Sequence, residues 1–432
     1  MTARLDLWLA GRLAGVVTQG DDGRCSFDYD KAYRREAAAE SLPALSVSIP
    51  LTQAHHGPAV VDPWLDNLLP DDDEVRRRWA GRFGEHVGSA FALLRHTGAD
   101  CPGAVQLLPE GQTPDEQGSY APISGKEIAA HIAALRADPA EWAFPEDGGR
   151  WSLAGQQSKF ALAREPDGTW LLPSGRAPST HILKLGVAGL AQSDVAEFVT
   201  MRAARTLGLP VPAVELVRFG DALALSVARF DRVRDAAGRV VRLHQEDMCQ
   251  ALGLWRSLKY QDDGGPSLGD IAHLIGGAVD PRDRAGSLAS FAAAACFNWV
   301  FAGTDAHAKN FALVHAGPRI VSAPFFDLVS AVLVWNEATV AFKGKLAMKM
   351  GGRYRLGDIG PHQLERAAED LLVTPDYMIE TARRYVGAMP DAVRDATREA
   401  AAADALTAAQ AARFIDAAAA RAKRLAAMSA TR

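Results

Sequence analysis

Asp305-Ala-His-Ala-Lys-Asn310 sets a carboxylate five residues ahead of a carboxamide, and a second carboxylate, Asp327, follows Ala-Pro-Phe-Phe further along. Together they are the groups a phosphoryl transfer requires. A hydroxyl that attacks the γ-phosphate of ATP needs a carboxylate to orient it and accept its proton, and Mg²⁺ needs oxygen ligands to hold the phosphates. Asp305 suits the first role; Asn310 and Asp327 suit the second. Protein kinases place an Asn and then another Asp after the base in this order and spacing. The His-Arg and Phe-Gly dipeptides that flank these positions in ordinary protein kinases are absent here.

The surrounding pattern predicts how such a loop would be held. Residues 288–303 carry no charge and end in Cys296-Phe-Asn-Trp-Val-Phe-Ala-Gly303, a run too short for a bilayer span that reads as a buried helix. Residues 310–315 and 319–321 read as a hairpin around Ala316-Gly-Pro318, closed by Pro324-Phe-Phe-Asp327. Helix, polar loop, hairpin and Asp would bring the two metal-binding side chains face to face.

The whole chain sets wider bounds. Its 432 residues, 48% hydrophobic and 23% charged, describe an ordinary globular protein with room for two or three domains. Met1-Thr-Ala-Arg-Leu-Asp-Leu-Trp has neither an apolar core nor a cleavage site, so no secretion signal is expected. Cys25, Cys101, Cys249 and Cys296 lie far apart, which argues against a zinc site or a disulfide scaffold and fits a reducing cytoplasm. With 47 basic against 52 acidic residues, the overall field gives no reason for strong autonomous nucleic-acid binding.

Along the chain, the first hundred residues read as a self-contained β-meander with strands at 5–9, 11–17 and 25–29. The acidic run Asp71-Asp-Asp-Glu before Val-Arg-Arg-Arg-Trp reads as a helix start rather than a metal cluster. Residues 109–120 read as a linker. A helix at 125–136 precedes short strands at 151–153, 159–164, 169–172 and 181–185, a helix at 193–208, and strands at 214–217 and 222–230. From residue 246 the pattern is mainly helical, ending in an alanine-rich tail at 400–428 of high helix propensity.

Other constellations leave alternatives open. Lys184, ending the strand His-Ile-Leu-Lys, is either an exposed edge residue or one aimed into a cleft toward phosphate; Glu197 on the next helix could pair with it, as kinases do. Trp151-Ser-Leu-Ala-Gly-Gln-Gln-Ser-Lys159 has groups suited to covering phosphates, but with Gly155 alone it fails the glycine-rich patterns, and on composition it is a polar turn. Gly265-Pro-Ser-Leu-Gly269 matches the hydrolase nucleophile elbow, yet no buried strand precedes it, so Ser267 reads as a helix start. Adjacent His55 and His56 cannot readily aim at one ion, and His307 is either a partner of phosphate or carboxylate, or a loop-packing histidine.

Taken together, the chain resembles the HipA family of bacterial serine/threonine kinase toxins, the toxic halves of type II toxin–antitoxin modules. The resemblance runs through Trp64-Leu-Asp-Asn-Leu-Leu-Pro-Asp71, Gly103-Ala-Val-Gln106, Ser152-Leu-Ala-Gly155, Thr180-His-Ile-Leu-Lys184 and Arg229-Phe-Asp-Arg232. It continues through His244-Gln-Glu-Asp-Met-Cys-Gln-Ala-Leu-Gly253, Lys259-Tyr260, Gly264-Gly-Pro266, the 305–311 run and Phe326-Asp-Leu-Val-Ser330. It implies Asp305 as catalytic base, Asn310 and Asp327 as Mg²⁺ ligands, and Lys184 as the phosphate-binding lysine. It also implies an ATP site built from Ser152, Leu153, Ala154, Gly155, Gln156, Gln157, Lys159, Ala228, Phe230, Gln245 and His307, with 228–230 as an adenine hinge acting through its backbone. Ser152 would be autophosphorylated, expelling its loop and switching the kinase off. Gln156, Ala228 and Ala306 depart from the residues usual in the family.

The fold implied is α+β: a small β-rich amino-terminal domain at 1–120, a sheet-rich ATP lobe at 121–232 and a mainly helical lobe at 233–432. The resemblance further implies a protein serine as acceptor, in the family an aminoacyl-tRNA synthetase, with arrest of translation and dormancy as the result. A HipB-like helix-turn-helix antitoxin would be the partner, and DNA would be reached through that complex. The residues alone also admit a small-molecule or lipid kinase on the same metal site, or an idle repressor scaffold.

Overall fold

The structure, a computed structural model, describes residues 3–114, 118–142, 152–187 and 189–430. It is an α+β chain. Five antiparallel strands open it, in the spatial order His55–His56, Cys25–Tyr29, Arg12–Gln19, Ala3–Leu9, Val105–Pro109. Leu5, Leu7 and Leu9 alternate inward along Ala3–Leu9 and are fully buried, the period-two pattern of a half-covered sheet. Helices Pro58–Asp66, Asp73–Phe83 and Ala90–Thr97 lie between the fourth and fifth strands in the chain.

A second antiparallel sheet has the order Val214–Phe219, Ala222–Ala228, His181–Lys184, Lys159–Arg164, Trp170–Ser174, Ser119–Pro122. The expected linker at 109–120 is therefore shorter than its composition suggested, since Ser119 and Tyr120 already pair with Ser174 and Pro173. No strand forms at 152–153, and Trp151 lies outside the described residues. There the backbone bonds to the amino-terminal region instead: the Ser152 N–H donates to the Asp100 carbonyl at 3.1 Å and the Asp71 N–H to the Gly155 carbonyl at 2.9 Å.

Nor is the first region self-contained. One continuous hydrophobic cluster joins Leu7, Trp64 and Trp79 to Phe160, Leu162 and Leu183 of the second sheet. Burying a small five-stranded sheet alone would leave too little apolar surface covered, and sharing a core supplies the rest. A charged seam reinforces the join. Asp100, 3% exposed, accepts from Arg232 at 2.9 Å and Arg242 at 3.0 Å, while Asp231 accepts from Arg229 at 2.8 Å.

The rest is mainly helical around a second cluster. Helix Pro281–Phe301 begins at its cap Asp280 and ends where Ala302 turns to φ +55°. At Gly303 a Cβ would collide with the Asn298 side chain, so glycine lets the chain fold back directly ahead of Asp305. The hairpin comprises Ala312–Ala316 and Arg319–Ser322, and its first strand also pairs with His244–Asp247. The alanine-rich tail is not one run: Pro375–Ala402 stops, Asp404 takes φ +54°, and Ala408–Ala430 packs back as a separate helix. Among the described residues, no helix is long and apolar enough to cross a membrane.

Candidate active site

Between the second sheet and the helical lobe lies a cavity of about 810 Å³. Ala154, Gly155, Gln156, Gln157, Lys159 and Glu197 line one wall, and Asp305, His307, Lys309, Asn310 and Asp327 the other. Asp71 reaches it from the amino-terminal region.

Lys184 ends the strand His181–Lys184, opposite Lys159 on one neighbour and Leu225 on the other. Its Nζ donates to Glu197 Oε1 at 2.6 Å, on helix Ser193–Thr206, and also to Asp327 Oδ1. The open question of its direction is answered: it points inward, 4% exposed. Burial alone would favour a neutral amine, but the Asp327 and Glu197 carboxylates outweigh it and raise its pKa. Burial likewise pushes the Glu197 carboxyl up, with Lys184 opposing. Lys159 has less compensation, and burial, opposed by Asp327, pulls it down to about 8.

The 152–159 segment curls over this wall. Lys159 Nζ donates to the Ala154 carbonyl at 2.7 Å, and Gly155, at φ +97°, leaves room that a Cβ 2.5 Å from that Nζ would take. The polar turn expected from composition is thus a lid strapped down by its own lysine. Ser152, expected in the ATP site, is fully buried with its hydroxyl donating to the Leu68 carbonyl at 2.6 Å. Neither Ser152 nor Leu153 lines the cavity.

On the opposite wall, Asn310 Nδ2 donates to the Asp305 carbonyl at 2.9 Å, closing the loop on itself around the turn Ala308–Asn310. That leaves the Asn310 carboxamide oxygen as a donor to a cation. Asp327 sits at φ +55°, a left-handed conformation that aspartate tolerates better than most residues. A carboxamide oxygen and a carboxylate on the same wall form the hard oxygen set that suits Mg²⁺, with remaining positions left to water and phosphate. Asp305 Oδ1 accepts from the Tyr260 hydroxyl at 2.5 Å. The Tyr260 ring also meets His307 edge-on at 4.9 Å, and burial brings the His307 pKa down to about 4. His307 therefore sits neutral in the loop, its Nδ1 buried without a partner among the described residues.

Several expected site residues lie elsewhere. Ala228, Phe230 and Gln245 do not line the cavity, although Phe230 stacks on Phe326, which does, at 5.7 Å. In the 228–230 hinge, the Ala228 N–H is taken by the Ala213 carbonyl and the Arg229 N–H by that of Thr180, both at 2.9 Å. Gln245 sits opposite Val314 in the three-stranded sheet. The histidines do not converge: His55 meets Asp28, His56 the Pro50 carbonyl, and His315 the buried Glu246. Ser267 caps helix Leu268–Ala278 through Asp270, as a helix start should.

The sequence reading missed Asp71, Lys309 and the hydroxyl of Tyr260 as parts of this site. Lys309 stands inside the 305–310 run, so its place was visible although its partners were not.

The carboxy-terminal part matches the family model described as HipA-like C-terminal domain over residues 151–401, and the amino-terminal part matches HipA N-terminal domain over 5–108. A Sinorhizobium fredii protein named as a candidate kinase, Y4mE, is 36% identical over 83% of this chain and 84% of its own. The serine/threonine-protein kinase toxin HipA of Shewanella oneidensis is 31% identical over 77% of this chain and 76% of its own. The solved complex of Shewanella oneidensis HipA, HipB and operator DNA contains a chain that superposes with a TM-score of 0.80, at 27% identity and 98% coverage of both chains.

Proposed function

Because the chain belongs to the HipA family of kinase toxins, we propose that it is an ATP-dependent serine/threonine-protein kinase whose acceptor is a protein serine. The observation that carries this reading is the cavity wall itself, where Asp305, Asn310 and Asp327 share one opening and the Lys184–Glu197 pair stands behind it. Asp305 orients the acceptor hydroxyl and takes its proton. Lys184, charged at neutral pH and released from Asp327 when nucleotide enters, meets the phosphates, and the 154–157 segment with Lys159 covers them. Asn310 and Asp327 would hold Mg²⁺, whose charge offsets that of the phosphates. The 228–230 hinge and Gln245 would contact the adenine side, with Phe230 acting through Phe326.

The family resemblance extends the proposal. The acceptor would be an aminoacyl-tRNA synthetase in the cytoplasm, translation would stop, and persistence would follow. A HipB-like helix-turn-helix antitoxin would neutralise the toxin and bring it to DNA; HipA of Shewanella oneidensis was solved with HipB and operator DNA. Ser152 would be the autophosphorylation site, reached only after it leaves the Leu68 carbonyl.

The test is phosphoryl transfer from labelled ATP with Mg²⁺, to itself and to cell extract. Asp305→Asn keeps the size of the side chain while removing the base and should lower the rate by about a hundredfold or more. Transfer at the wild-type rate in that variant would remove Asp305 from its role.

A further inference from the structure

Asp71 belongs to the amino-terminal region, yet it is hydrogen-bonded to the segment that covers the phosphates and ion-paired with the catalytic loop. Its backbone N–H donates to the Gly155 carbonyl at 2.9 Å, and Pro70 forms a parallel bridge with Gly155, so this turn is stitched to the segment that covers the phosphates. Its carboxylate turns the other way. Oδ2 accepts from Lys259 Nζ at 2.8 Å, and Oδ1 lies 3.5 Å from Lys309 Nζ, between His307 and Asn310 in the catalytic loop. The Lys259 carbonyl in turn accepts the Ala308 N–H at 3.1 Å, which makes a second tie to the same loop.

Capping does not explain the Asp71 side chain. Helix Asp73–Phe83 is capped by Asp72, whose Oδ1 accepts from Glu74 at 2.7 Å and Val75 at 3.2 Å. Nor does charge balance of Lys309 alone, because Asp247 at 3.2 Å and the Asn67 carboxamide oxygen at 2.7 Å already meet that lysine. Asp71 is what remains to connect the lid to the catalytic loop.

We propose that Asp71 is a positioning residue for phosphoryl transfer, through which the amino-terminal region fixes the 154–158 segment and the 305–310 loop relative to each other. The inference rests on the kinase reading for its effect on rate, but the mechanical link stands on geometry alone. It gives the amino-terminal region a part in the chemistry. Loosening the lid at Gly155 would release Asp71 and with it the placement of Asp305 and Asn310, and a base displaced by about 1 Å costs up to about a hundredfold in rate.

Asp71→Asn keeps the backbone bond to Gly155 and removes the charge that holds Lys259 and Lys309. The expected result is a kcat lowered by about ten- to a hundredfold with KM for ATP changed by less than about twofold, because Lys184 keeps its place beside Glu197 and the lid, though looser, still closes over bound nucleotide. Hydrogen–deuterium exchange on the same variant should quicken in 154–158 and 305–310 together. A folded Asp71→Asn protein with wild-type kcat and wild-type exchange in both segments would overturn the proposal. If Asp71→Asn gives no cooperative melt, Lys259→Met at the other end of the bond is read instead: the same loss of kcat is expected, and wild-type kcat overturns the link. A wild-type protein that transfers no phosphate would remove the kinase reading, and exchange alone would then decide whether Asp71 couples the two segments.

Discussion

Lys159 presents a conflict between stability and use that can be measured. Its side chain is 4% exposed, and burial, opposed mainly by Asp327, takes its pKa from 10.5 to about 8. Each pKa unit corresponds to about 1.4 kcal/mol, so holding the charged form in the fold costs about 3 kcal/mol relative to the unfolded chain. Lys159→Met fills a similar volume without the charge but loses the 2.7 Å bond from the charged amine to the Ala154 carbonyl, worth about 2 kcal/mol. The variant should therefore be more stable than wild type by about 1 kcal/mol near neutral pH. The sign follows from proton counts. Below about 8 the folded wild type carries the costly charge in full; between about 8 and 10.5 the unfolded chain binds the proton that the folded chain has released, so wild-type stability rises with pH. By about pH 10 the variant's advantage should have vanished. Paired urea unfolding at about pH 7 and about pH 10 reads both values, and an ATP titration should show a raised KM for the stabilised variant. A destabilised variant at neutral pH, or a difference that does not change with pH, would refute the reasoning.

Two further perturbations address the seams around the site. Asp100→Asn leaves Arg229, Arg232 and Arg242 around an uncharged amide, and removing one member of a buried charge network costs about 3–5 kcal/mol, read as a lowered midpoint in urea. A loss below about 1 kcal/mol would mean that Asp231 alone balances the seam. Ser152→Glu replaces a donor to the Leu68 carbonyl with a buried acceptor that carries charge, so residues 152–158 should leave their place, exchange faster and lose phosphoryl transfer. Wild-type exchange in that segment would argue against any switch built on Ser152.

Much of the layout was legible because it is local. The uncharged run ahead of Asp305 became the buried end of helix Pro281–Phe301, and the strand–helix succession gave Lys184 and Glu197 as a candidate pair. Periodicity and turn residues act over a few positions, and those are the interactions a sequence displays. What failed was long-range. In the segment expected as a strand at 151–153, Ser152 bonds to the Asp100 and Leu68 carbonyls instead, and the first region, expected to be self-contained, shares its core with the second sheet. In the 228–230 hinge, the Ala213 and Thr180 carbonyls take the N–H groups of Ala228 and Arg229, which leaves the carbonyls of the hinge for adenine. None of these competing partners is near in the chain.

Asp71 illustrates where the limit lies and how it could be narrowed. Its run of acids was read as a helix start, and the helix is there, but a helix N-terminus uses one capping side chain and gains from acids in the first turn. Asp72 provides the cap, and Asp73 and Glu74 occupy the first turn. Asp71, one position before the cap, is outside the reach of both effects, so the helix leaves its carboxylate unexplained. Directly after Pro70, which bridges to Gly155, such a surplus acid can answer a distant cation. Counting which charges a local motif actually consumes would have singled it out, even though only the fold supplies Lys259 and Lys309 as its partners.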